Sequence, residues 1–71
     1  MQMKTRQIAT LRYNGKMYRI IHDEGASLNQ YRVVADYYEA TTNGMKHRHK
    51  QIERYADLAS AMALLAEITR G

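Results

Sequence analysis

Seventy-one residues, with eleven Lys and Arg against seven Asp and Glu and no Cys, describe one small basic domain. That length leaves room for a single core and no second domain, so residues 1–71 are read as one unit, and without Cys neither disulfides nor thiolate metal sites are available. The net charge of +4 favours acidic partners, nucleic acid first, while no apolar run is long enough for a membrane span or a signal-peptide core, so a soluble cytoplasmic protein with no membrane partner is expected.

Met1 to Thr5 are polar and are expected to fray. Tyr13-Asn14-Gly15-Lys16 places an Asn-Gly pair between two β-prone runs, which predicts a two-residue type I′ hairpin because both central residues need positive φ. That turn sets a register in which Tyr13 faces Lys16, Leu11 faces Tyr18 and Ala9 faces Ile20 on one side. On the other side Arg12 faces Met17, Thr10 faces Arg19 and Ile8 faces Ile21. The first side carries little charge and is the expected core face, with Tyr13 and Tyr18 capping it. The second mixes arginines with aliphatic groups, a composition suited to a surface that meets something.

His22 to Gln30 breaks the alternation and reads as a loop, with Leu28 tucked inward. Tyr31 to Glu39 resumes as a strand rich in Val and Tyr, followed by a second Asn-Gly signal at Asn43-Gly44. A two-residue turn there sets Thr42 against Met45, Glu39 against Arg48, Tyr37 against Lys50, Ala35 against Ile52 and Val33 against Arg54. Val33, Ala35, Tyr37 and Ile52 then face the core, and Val34, Asp36, Tyr38 and His49 face away. The stretch Lys46 to Arg54 is polar enough for a sheet edge. In the last segment Leu58, Ala61, Met62, Leu65 and Ile68 recur at helical spacing, Asp57 is placed as N-cap, Arg70 at the negative end and Gly71 as C′ residue. The expected fold is α+β: two consecutive β-hairpins forming a three- to four-stranded antiparallel sheet, packed on one face by a C-terminal helix.

No Ser/His/Asp order, Gly-rich nucleotide loop or paired carboxylates at helical spacing points to catalysis, and so short a chain has little to spare for a concave pocket. No enzyme activity, small-molecule substrate or cofactor is expected. His47 and His49 at i, i+2 form at most half a metal site, with His22 the only third histidine; two surface histidines are the simpler account. Lys46, Arg48 and Lys50 project to one side of their strand and suit phosphate contacts, although a solvated edge strand has the same composition.

The order of parts also resembles a known family. A Gly-Lys-x-Tyr-Arg hairpin at Gly15, Lys16, Tyr18 and Arg19 precedes a strand opening Tyr31-Arg32-Val33, and a helix opening Tyr55-Ala56-Asp57-Leu58-Ala59-Ser60-Ala61 closes the unit. This is similar to the AP2-like arm-binding domain at the N-terminus of mobile-element tyrosine recombinases. The resemblance implies a sheet laid in the DNA major groove by the face opposite the helix. It also implies an accessory protein of a mobile element or prophage. The chain departs from that pattern in ending after the helix and in carrying Ile8, Ile21 and Val34 on the outward face. Two expectations follow. In the first, Arg12, Arg19 and Arg32 with Lys46, Arg48 and Lys50 contact nucleic acid. In the second, the same face forms a protein-interaction or homodimer surface with Ile8, Met17, Ile21, Val34 and Tyr38 at its centre.

Overall fold

A computed structural model describes residues 4–26 and 28–70. Four strands, β1 (Lys4–Tyr13), β2 (Lys16–Glu24), β3 (Tyr31–Thr41) and β4 (Gly44–Tyr55), are followed by one helix, α1 (Leu58–Arg70). The strands form one antiparallel sheet in the order β1-β2-β3-β4, the α+β architecture expected. Gly71 lies outside the described residues, as do Met1 to Met3.

The first hairpin turns as its sequence requires: Asn14 and Gly15 both take positive φ, 55° and 79°. Ala9 to Tyr13 then pair with Ile20 to Lys16 in the expected register. The second hairpin turns one residue earlier than expected. Thr42 and Asn43 occupy the bend, Thr41 pairs with Gly44, and Gly44 alone supplies the positive φ, at 112°. The Thr41 hydroxyl holds this geometry by accepting from the Asn43 N–H and donating to the Gly44 carbonyl. Each β3 residue on the arm therefore meets a partner two positions nearer the turn, such as Tyr37 with Arg48 and Glu39 with Lys46. From Gly44 to Gln51 a shift of two keeps the side chains on their expected faces.

Each edge strand contains one extra residue, and both are isoleucines: Ile8 between Gln7 and Ala9, and Ile52 opposite the step from Val33 to Val34. A bulge of this kind reverses which face the following side chains occupy. Below Ile8, Gln7 rather than Ile8 sits against Ile21, and Thr5 sits against Asp23. Below Ile52, Glu53 sits against Val33, and Arg54 moves to the outward face beside Arg32.

The core lies between the sheet and α1. Tyr18, Ile20, Val33 and Ala35 meet Ala61 and Leu65, with Ala9, Leu11, Tyr13, Leu64 and Ile68 around them. Ala61 has no exposed surface, and its small side chain lets the helix approach the strands closely. The buried stripe is thus Ala61, Leu64, Leu65 and Ile68; Leu58 and Met62, expected on it, are exposed. α1 has apolar residues almost all round, so spacing alone admits both stripes, and contact with the sheet selects the one turned toward Leu64.

The β2–β3 connection is shorter than expected. β2 runs on through Glu24, His22 pairs with Tyr31 and stacks on its ring at 4.4 Å, and Leu28 is exposed rather than tucked in. Lys4 and Thr5, expected to fray, pair with Glu24 and Asp23. At the helix start the Asp57 carboxylate accepts the Ser60 N–H at 2.8 Å, as an N-cap does. The Ser60 backbone and side chain hold that carboxyl below the usual carboxylate range. Asp57→Ala is expected to lower the melting temperature slightly and Asp57→Ser to restore it; identical melts for all three proteins would remove the cap from the account.

Candidate functional site

Opposite the helix, two aspartates organise the sheet surface. Asp23, 1 % exposed, receives Arg32 Nε at 2.7 Å, Arg54 Nη2 at 2.8 Å and the Thr5 hydroxyl at 3.2 Å. Those residues stand on β2, β3, β4 and β1, so one carboxylate joins all four strands. Burial, the largest single influence on Asp23, pushes its carboxyl up. The Arg32 hydrogen bond and charge, Thr5 and Arg54 together outweigh it and hold the group below its ordinary value. Asp36, also buried, binds Arg19 through both oxygens, at 2.6 and 3.1 Å, and accepts His47 Nε2 at 3.1 Å. Among the described residues every buried polar side-chain atom has a partner.

Arg19 and Arg32 are therefore engaged by carboxylates. Their half-buried side chains lie across the outward face, where Val34 is 2 % and Ile21 6 % exposed. Long arginine side chains can cover apolar surface in this way. Of the aliphatic centre expected from the sequence, Ile21 and Val34 are covered and Met17 is half-buried, while Ile8, the extra residue of its bulge, is 40 % exposed. Tyr38 and Met45, which share this face, are each 67 % exposed.

The remaining positive charge collects elsewhere. Five of the eleven Lys and Arg take part in ion pairs (Arg19, Arg32, Arg48, Arg54 and Arg70), which leaves six without one among the described residues. Two of these, Lys4 and Arg6, lie early in β1; the other four, Arg12, Lys16, Lys46 and Lys50, lie toward the end of the sheet where both hairpins turn. Arg48 joins them through an exposed pair with Glu39 at 2.9 Å, of the weak surface kind that a phosphate can replace.

The hairpins differ in reach at that end. The last β2–β3 pair is Met17 with Asp36, yet β3 and β4 continue for five more pairs, from Tyr37 with Arg48 to Thr41 with Gly44. The result is a two-stranded ribbon standing roughly 15 Å beyond its neighbours. Lys46 and Arg48 pair with Glu39 and Tyr37, and Lys50 with Ala35, on the helix side, while His47 and His49 pair with Tyr38 and Asp36 on the other. Lys16 Nζ lies 5.8 Å from the centre of the Tyr37 ring and adds to the helix-side group; Arg12, opposite Met17, is on the other side.

Two open depressions flank the root of the ribbon. One, of about 410 Å³, lies on the outward side between the Asn14-Gly15 turn and Tyr38, with Arg12, Met17, Asp36 and His47 around it. The second, of about 500 Å³, is on the helix side among Lys16, Tyr37, Lys50 and Ile52. Among the described residues no group of three His, Cys, Asp or Glu is placed to hold a metal ion, and no helix is long and apolar enough to cross a membrane.

From the sequence Arg12, Lys46, Arg48 and Lys50 are candidate contacts, while Lys16 and the two aspartates are given no role. Asp36 was on the outward face by alternation, which was a usable signal once β2 and β3 were put side by side. Asp23 reads as part of a loop in the sequence because the apolar alternation ends at Ile21. Comparison with protein-family models, curated proteins and solved structures finds no match.

Proposed function

We propose that this protein is a non-catalytic nucleic-acid-binding accessory protein that inserts the β3–β4 ribbon into the major groove of a duplex. The observation that carries this reading is the gathering of Lys46, Arg48 and Lys50 on the helix side of the ribbon, with Lys16 and Arg12 of the neighbouring hairpin near its root. A two-stranded ribbon about 10 Å thick fits a groove about 12 Å wide. Lys46, Arg48 and Lys50 on its helix side, with Lys16 at its root, meet the phosphate backbone of one wall, and Arg12 on the neighbouring hairpin is the cation on the other side. The AP2-like resemblance implies contact through the flat outward face; the engagement of Arg19 and Arg32 by Asp36 and Asp23 favours the ribbon instead.

A titration of labelled duplex at several salt concentrations tests it. Five phosphate contacts give a slope of log affinity against log salt of roughly −4 to −5, and Lys46→Ala with Lys50→Ala reduces its magnitude by about 2. Arg32→Ala leaves that slope unchanged while lowering stability. No binding at low salt, or an unchanged slope in the double variant, would remove the proposal.

A further inference from the structure

The outward depression at the root of the ribbon has a chemistry that phosphate steering does not require. At the level of Tyr38 and His47 the neighbouring strand has already turned at Asn14-Gly15, so one flank of the Tyr38 ring has no strand beside it. The ring is 67 % exposed and tilts against His47, with centres 5.6 Å apart. His47 is steadied through Nε2 on Asp36, which Arg19 grips with two hydrogen bonds. Across the depression stands Arg12, a cation with no ion-pair partner among the described residues, two strands away or about 10 Å laterally. An aromatic face, a held imidazole and a free guanidinium around about 410 Å³ suit a planar ring attached to an anion.

Building on the nucleic-acid reading, we infer that this notch receives a single unpaired nucleotide, its base stacked on Tyr38 and its phosphate against Arg12. Bound this way the protein prefers a duplex carrying an extrahelical nucleotide over a perfect one. A nucleotide within an intact stack offers no free face to Tyr38; an extruded one does, at no further unstacking cost.

Fluorescence anisotropy with a labelled perfect duplex, and with the same duplex carrying one extrahelical thymidine, separates the possibilities. The wild-type protein is expected to bind the bulged duplex about 10-fold more tightly, and Tyr38→Ala to remove that preference while leaving the perfect duplex unchanged, in keeping with the effect of losing one stacked base. Tyr38→Phe retains the preference, because stacking needs the ring and not the hydroxyl. Tyr38 is exposed, and equal thermal melts for the variants exclude a folding effect. Equal affinity of the wild-type protein for the two duplexes, or an equal loss on both in Tyr38→Ala, overturns the notch and leaves the ribbon reading standing. Absence of binding to either overturns both.

Discussion

Asp23→Ala is expected to lower stability by about 3–5 kcal/mol, the usual cost of removing one partner from a buried ion pair. In a domain of this size that corresponds to a fall in melting temperature of roughly 15–30 °C. The alanine leaves Arg32 and Arg54 with their guanidinium groups turned toward an apolar gap, and takes from the Thr5 hydroxyl its only side-chain acceptor among the described residues. It also loosens the β2–β3 connection, because Arg54 donates to the Asn29 carbonyl at 2.9 Å while it holds Asp23. Urea unfolding followed by far-UV circular dichroism measures the loss. A midpoint within error of the wild type would show that the carboxylate is incidental.

Protonation should mimic the substitution. The Asp23 carboxyl sits below its ordinary range in the folded protein, so folding favours its ionised form. The stabilisation is complete above the unfolded pKa of about 4 and is lost as pH falls from there through the lower folded value. Wild-type stability therefore declines below about pH 4, and Asp23→Asn, already without the charge, declines less steeply over that window.

Leu65→Ala is expected to cost about 2–5 kcal/mol. Leu65 is 6 % exposed and enters the cluster formed by Ile20 and Val33, both without exposed surface. A 13-residue helix is marginal in isolation, so weakening this contact also detaches the element that closes the core. Met62→Ala is the control: Met62 is 48 % exposed and its truncation should change stability by less than about 0.5 kcal/mol. Equal losses at the two positions would mean that α1 is rotated relative to the stripe described.

These effects belong to the scaffold. Arg19 and Arg32 lie on the sheet face opposite the helix, yet their positive charge is balanced by carboxylates beneath them. Arg12, Lys16, Lys46 and Lys50 form no ion pair among the described residues, so their charge is available to an external anion. Net charge counts both groups alike; pairing distinguishes them.

Much of the architecture follows from local rules. Asn14-Gly15 accepts positive φ at both positions, so the first turn and its register follow from two residues. Alternation along β3 assigns Val33 and Ala35 to the helix and Val34, Asp36 and Tyr38 to the other face, because a strand has a period of two. Asp57 marks the helix start because its side chain can accept an amide of the first turn. The sequence also shows Lys46, Arg48 and Lys50 sharing one side of β4, for the same reason as in β3.

The tertiary structure decided what alternation cannot carry through a bulge. The additional residues at Ile8 and Ile52 reverse the faces of Thr5 and Arg54, and only then do both side chains reach Asp23. Neither bulge has a glycine or proline to announce it, and past each the ladder resumes in the register that brings Thr5 or Arg54 to Asp23. The choice of Leu64 over Met62 on the helix, and the pairing that sets Arg19 and Arg32 apart from the free cations, likewise depend on neighbours distant in the chain.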